Sequence, residues 1–128
     1  MVEGLVSVII PTRNSSATLE SCIHSVKNQT YNPIEIIVVD SKSTDSTRHI
    51  SESNGVKVVE VEWKLLGARL LGLREASGNH ILMLDSDQIL NAEAIGNCMK
   101  MMKEFDMLCL EERTYNPQTF IQRAFEAD

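Results

Sequence analysis

The 128-residue chain contains neither a long apolar run nor a cluster of basic residues. No stretch approaches the roughly 18 apolar residues of a membrane-spanning helix, which favours a chain that crosses no membrane and lies in the cytoplasm. Its 12 Lys and Arg residues stand against 18 Asp and Glu residues, and the net charge of −6 argues against nucleic acid or an anionic membrane as a partner. Its three cysteines lie in apolar runs, which is typical of small buried residues in a reducing compartment.

Segments with the pattern of buried strands alternate with segments of helical spacing along the whole chain. The predicted strands cover residues 5–10, 34–39, 56–61, 80–84 and 106–110. The predicted helices cover 19–26, 45–54, 65–76, 91–102 and 116–125, with caps at 14–16 and 43–45 and a stop at Gly78. Strands separated by single helices pair in parallel through right-handed crossovers, which predicts one doubly wound α/β domain over 1–128, with helices on both faces of a mostly parallel sheet.

Two carboxylates one residue apart, Asp85 and Asp87, follow the apolar run 80–84. Aspartate is costly to bury without a partner, so we expect the pair at the carboxyl edge of the sheet, where open α/β sheets bind ligands. Carboxylate oxygens suit Mg²⁺ or Mn²⁺, and such an ion allows an acidic site to accept a phosphate. The alternative is a helix cap or a turn, because Asp and Ser serve there too.

Two further polar clusters end predicted strands, at residues 11–14 and 40–45. In a parallel sheet these strand ends share one edge with 85–87, which predicts a nucleotide site. Asp40 can accept a hydrogen bond from a base or ribose, and Thr12 and Arg13 offer donors. Each residue taken singly is explained as readily as a cap, a turn former or a solvated charge.

Four blocks of sequence resemble the inverting family 2 glycosyltransferases of the GT-A fold. In the family's order they are residues 6–14, 35–47, 67–78 and 84–87, the last being similar to the D-x-D motif. Three departures stand out. Ser41-Lys42 replaces an acidic or Asn residue followed by Gly, Leu70 replaces Asn, and Gln88 replaces a third acidic residue.

The resemblance implies an enzyme that transfers a sugar from a UDP- or GDP-sugar to an acceptor hydroxyl. A weaker similarity to polyprenyl-phosphate sugar transferases implies a lipid phosphate as the acceptor. Asp85 and Asp87 would bind the divalent ion, and Arg69 would approach the diphosphate. The donor-binding residues that it implies are Pro11, Thr12, Arg13, Asn14, Asp40, Ser43, Asp45, Arg69, Asp85 and Ser86.

The resemblance covers the donor-binding half of such enzymes, and we expect the acceptor half and its general base to be absent. Glu111 and Glu112 are the nearest acidic candidates, and a solvated strand end explains them better, so the base stays unassigned. The chain is therefore expected to bind donor without transferring sugar, and an apolar helix near residue 120 could pair two copies. Two alternatives stay open. One is a non-catalytic nucleotide-sugar module, and the other is a sugar nucleotidyltransferase, which would need the glycine-rich loop that 11–15 lacks.

Overall fold

The computed structural model describes residues 2–62 and 64–110, and within them four strands alternate with four helices. The elements are β1 (Val2–Thr12), α1 (Leu19–Lys27), β2 (Ile34–Asp40), α2 (Thr47–Ser53), β3 (Lys57–Glu60), α3 (Leu65–Glu75), β4 (Gly78–Met83) and α4 (Ala94–Met101). The helix predicted at 116–125 and the candidates Glu111 and Glu112 lie outside the described residues.

All four strands are parallel and lie in the order β3–β2–β1–β4. The chain winds outward from β1 to β3, and α3 then carries it back to β4 on the other side of β1. Because parallel crossovers are right-handed, α1 and α2 lie on one face of the sheet and α3 lies on the other. The winding direction reverses between β1 and β4, which makes their carboxyl ends the topological switch point where such sheets bind ligands.

Alternating side chains of the central strands form the core. Ile9, Ile37 and Val39 pack with Ala68 of α3 in one buried cluster. The neighbouring residues of each strand point to the opposite face, towards α1 and α2. On the α3 side the contact is so close that a β-carbon added at Gly72 would collide with Ile9 Cγ2. The spacing between helix and sheet therefore depends on that glycine.

A buried polar network joins three strands near their amino ends. The hydroxyl of Ser7, which is fully buried, donates to the Glu35 carboxylate and accepts from the Gly78 amide at 2.8 Å. The amide of Ser77 donates to the same carboxylate at 2.5 Å. The Ser7 hydroxyl and the Gly78 amide would otherwise be buried without partners, so their bonds help to fix the register of β1, β2 and β4.

Three predictions about the elements are wrong. Residues 106–110 form no strand, and Gly78 begins β4 instead of ending α3, whose last residue is Glu75. The strand β4 is an edge strand of the described sheet and is only partly buried, with Ile81 40% exposed. An apolar run alone does not distinguish a central strand from one whose second face is open.

The cap and cysteine predictions hold only in part. Residues 14–16 do not cap α1, because they bind the loop before α2 instead. The residue that precedes α1 is Thr18, whose side chain makes no capping hydrogen bond. Cys22 is buried as expected, whereas Cys109 is exposed. The edge position predicted for β3 is confirmed.

The chain divides into two compact units, Met1–Asn97 and Cys98–Asp128. The first contains the whole sheet, α1, α2 and α3, and every residue of the candidate site. A single domain over 1–128 stays a prediction. None of the helices in the described part of the chain is long and apolar enough to cross a membrane.

Candidate functional site

An open cavity of about 490 Å³ lies where β1 and β2 end and α3 begins. Three of the predicted donor-binding residues, Pro11, Thr12 and Arg13, line this cavity at the end of β1. The lining residues are Pro11, Thr12, Arg13, Ser41, Glu62, Lys64, Leu65 and Ala68. The volume is within the usual range for a small-molecule site, so a nucleoside can be accommodated here.

The carboxylate of Asp40 is enclosed at the end of β2 and is only 1% exposed. Its Oδ1 accepts hydrogen bonds from the hydroxyls of Thr12, at 2.7 Å, and Ser43, at 2.5 Å. Its Oδ2 accepts from the Ser43 amide at 3.0 Å. In this arrangement Asp40 joins the ends of β1 and β2 and shapes the cavity wall from behind. Direct binding of a base by Asp40 stays a prediction.

The loops that follow β1 and β2 are joined by side-chain hydrogen bonds. Asn14 has a left-handed φ of 49°. Its side-chain oxygen accepts from the Thr44 backbone amide at 2.8 Å, and its backbone amide donates to Ser43 Oγ at 2.8 Å. Asp45 accepts from the Ser16 amide at 3.1 Å and from the amide and hydroxyl of Thr47. The Thr47 hydroxyl is the largest cause that holds the pKa of Asp45 far below its usual value. Asn14 and Asp45 are therefore occupied in fixing the loops.

The D-x-D residues lie on the same edge and are bonded to the loop after β1 and to α3. Arg69 Nη2 donates to Asp85 Oδ1 at 3.1 Å, and the Ser86 hydroxyl donates to Ser15 Oγ at 2.9 Å. The amide of Asp85 donates to the side chain of Gln88 at 2.9 Å, so Gln88 closes this turn. The structure thus brings the three strand ends together, as the sequence predicted.

A buried thiol lies beneath this turn. Cys22 Sγ is 3.6 Å from the Asp85 carbonyl oxygen and is fully buried. Burial, and then the nearby charges of Asp87 and Asp85, raise the pKa of Cys22 to about 12. In the chain without a bound ion, the thiol therefore stays protonated at neutral pH.

The carboxylates of Asp85 and Asp87 fit a divalent ion whose remaining ligands come from a bound diphosphate. Among residues 2–62 and 64–110 no group of three or more His, Cys, Asp or Glu side chains could hold a metal ion. Mg²⁺ is commonly bound by one or two carboxylates together with substrate phosphates, so two aspartates suffice when a diphosphate is present. In the same part of the chain Asp87 has no side-chain partner, and Arg69 Nε is buried without one. Both groups suit a site that receives a metal and an anion.

Sequence patterns missed four residues of the cavity, which are Leu65 and Ala68 of α3 and the two charged residues Glu62 and Lys64 that follow β3. Glu62 forms an ion pair with Lys42, and this contact lowers the pKa of Glu62 and raises that of Lys42. Lys42 has a φ of 50°, so it adopts the left-handed conformation at the position where the family pattern has Gly. The position of 62–64 just after a parallel strand was the signal that could have found the two charged residues.

Residues 7–125 match the family described as "Glycosyl transferase family 2". The chain belongs to this family. Among curated family 2 relatives, the Escherichia coli UDP-Glc:α-D-GlcNAc-diphosphoundecaprenol β-1,3-glucosyltransferase WfgD is 38% identical over 108 residues, covering 80% of this chain and 42% of the relative. The chain therefore spans less than half the length of this relative.

Two solved glycosyltransferase structures share the GT-A fold with this chain. Staphylococcus aureus TarS in complex with UDP-GlcNAc has a TM-score of 0.71 and 30% identity, covering 77% of this chain and 31% of TarS. The mannosyltransferase PcManGT from Pyrobaculum calidifontis, in complex with GDP-Man and Mn²⁺, has a TM-score of 0.70 and 28% identity, covering 77% and 32%. The predicted GT-A type of α/β fold is confirmed.

Proposed function

We propose that this chain forms the donor-binding part of a glycosyltransferase that uses a nucleoside-diphosphate sugar and Mg²⁺ or Mn²⁺. The observation that carries the proposal is the cavity at the ends of β1 and β2, because the D-x-D turn lies on the same sheet edge and Arg69 links that turn to α3. The solved neighbours bound to UDP-GlcNAc, or to GDP-Man with Mn²⁺, support both the donor class and the metal.

In the proposed site each group has a separate task. Pro11, Thr12 and Arg13 would receive the base and ribose, and Arg69 would bind the diphosphate through its guanidinium. Asp85 and Asp87 would hold the divalent ion, which when bound neutralises charge on the departing nucleoside diphosphate. Three residues, Asn14, Ser43 and Asp45, would hold the loops after β1 and β2 in place. Ser86 would hold the D-x-D turn beside Ser15.

The sugar, the acceptor and the general base belong to the wider proposal. The relative WfgD is named for a diphosphoundecaprenol-linked acceptor, which supports a lipid-linked acceptor for this chain as well. Direct displacement at the sugar needs a base within hydrogen-bond reach of the acceptor group. The acidic candidates Glu111 and Glu112 lie outside the described residues, so no base is assigned, and an exclusively binding module stays the second candidate.

Calorimetry with UDP and GDP, each in Mn²⁺ and in EDTA, tests the proposal. We expect tight binding of at least one nucleotide in Mn²⁺ and a loss of at least tenfold in EDTA. The matched variants are Asp87→Asn, which removes a metal ligand, and Glu93→Gln, which removes an exposed carboxylate away from the cavity. Equal affinity with and without metal, or equal effects of the two variants, would contradict the assigned metal site.

A further inference from the structure

The side of α3 that faces away from the sheet is a stripe of exposed leucines. Ala68 and Gly72 are buried on the sheet side, whereas Leu66, Leu70 and Leu73 are 72%, 54% and 43% exposed. The three leucines are spaced four and three residues apart, so they lie along one face of the helix. We call them the α3 leucine surface.

The α3 leucine surface has the properties of a surface that is covered in function. A contiguous exposed apolar patch marks a protein or membrane contact. A cavity of about 400 Å³ opens on it, lined by Leu70, Leu71, Leu73 and Arg74. None of these residues lines the nucleotide cavity, so the two features are separate.

The charges around the α3 leucine surface are locally positive. Arg74 is exposed and has no ion pair within residues 2–62 and 64–110, and neither does Lys64 at the start of the helix. The nearby acidic side chains are already neutralised. Glu75 pairs with Lys57 at 2.8 Å, and Glu62 pairs with Lys42.

The net charge of −6 does not decide what this surface binds. At about 0.1 M salt, exposed charges more than roughly 10 Å apart are largely screened, so the unpaired cations beside the leucines dominate the local field. A second copy of the chain would offer the same cations, and pairing the two surfaces would bring like charges together.

We propose that the α3 leucine surface docks on an anionic lipid bilayer. The leucines enter the boundary between headgroups and acyl chains, and Arg74 contacts lipid phosphates, because buried apolar area and a nearby cation both favour binding to an anionic membrane surface. Leu70 occupies the position where the family pattern has Asn, so this departure adds apolar area to the docking surface. The inference does not depend on nucleotide binding.

Co-sedimentation with vesicles tests the docking. The probes are vesicles of phosphatidylcholine alone and vesicles with about a third phosphatidylglycerol, each at 100 and 500 mM NaCl. We expect binding to the anionic vesicles at low salt, a loss of at least fivefold in the Leu66→Ser/Leu73→Ser double variant, and a loss of about threefold in Arg74→Glu. The matched control, Val2→Ser/Ile89→Ser, removes two comparably exposed apolar side chains and should bind like the wild type.

Three results would overturn the docking proposal. They are an absence of vesicle binding by the wild-type chain, equal binding to neutral and anionic vesicles, and equal losses in the two double variants. Light scattering after size exclusion adds a fourth, since a dimer abolished by Leu66→Ser/Leu73→Ser would assign the surface to a second copy. Far-UV circular dichroism and melting curves show whether each variant is folded. If Leu66→Ser/Leu73→Ser does not fold, Arg74→Glu still tests the docking.

Discussion

Asp40 connects binding to stability at the scale of a single residue. Its carboxylate accepts three hydrogen bonds from Thr12 and Ser43 while being 1% exposed. From the sequence alone, an aspartate at the edge of a sheet is expected to contribute little to the stability of the core. The burial of Asp40 leads to a different expectation.

We expect Asp40→Ala to lower the free energy of unfolding by about 1–3 kcal/mol, because the buried hydroxyl of Thr12 and the half-buried donors of Ser43 lose their acceptor. Nucleotide affinity should fall as well, since the cavity wall loses its support. Urea denaturation and calorimetry measure the two effects. Asp87→Ala is the control, with unchanged stability and lost metal-dependent binding. A stable Asp40→Ala variant with weakened binding would instead favour direct contact between Asp40 and the base.

Asp45 gives a prediction about acid stability. Its pKa is lowered in the folded chain, chiefly by the Thr47 hydroxyl, so the folded state favours the ionised form. The stabilisation is fully present above the ordinary value of 3.8 and is lost as the pH falls towards the lower folded value. Wild type should therefore exceed Asp45→Asn in stability by a constant amount at pH 5–7, and by a shrinking amount below about pH 4. Urea midpoints across this range measure it, and a difference that grows in acid would exclude the assigned cause.

Helix α3 is the element that links the sheet to the site. Its inner side holds Ala68 and Gly72 against β1 and β2, its first turn lines the nucleotide cavity, and Arg69 reaches Asp85. A shift of this helix would therefore move the wall of the cavity and the D-x-D turn together.

We expect Gly72→Ala to destabilise the fold by about 1–3 kcal/mol, since the added methyl would collide with Ile9 Cγ2 and force α3 or β1 to move. Donor binding should weaken in parallel, because Arg69 is carried on the same helix. Denaturant midpoints and calorimetry provide the two readouts. The matched control is Gly96→Ala in α4, where the nearest atoms lie 3.9 Å from an added β-carbon, and it should not destabilise the fold. A fully stable Gly72→Ala variant would show that α3 has room to adjust.

Strong periodic elements could be predicted from the sequence, and weakly determined ones could not. The runs that became β1 and β2 are apolar on both faces, and their patterns leave no second interpretation. The run at 106–110 has a similar composition but forms no strand, because composition does not supply a pairing partner. The three strand ends of the site were found by topology, whereas the burial of Asp40 and the Lys42–Glu62 pair depend on contacts between loops.

At the scale of the whole molecule, ligand binding and folding should be coupled. A ligand that binds only the folded chain stabilises it by about 2.7 kcal/mol at a concentration 100 times its dissociation constant. We therefore expect the melting temperature to rise when UDP or GDP is added with Mn²⁺, and to return to the ligand-free value when EDTA removes the metal. Thermal denaturation by circular dichroism measures the shift. A rise that persists in EDTA would separate nucleotide binding from the metal.

The hydrogen bonds between the two site loops determine how binding divides between enthalpy and entropy. Asn14, Ser16, Ser43, Thr44 and Asp45 are already bonded to one another before any ligand arrives. A loop that is ordered in advance has little conformational freedom left to lose when it binds, so the entropic penalty of association is small. Loosening these bonds, for example by Asn14→Ala, should make binding more enthalpic and yet weaker, which calorimetry measures directly.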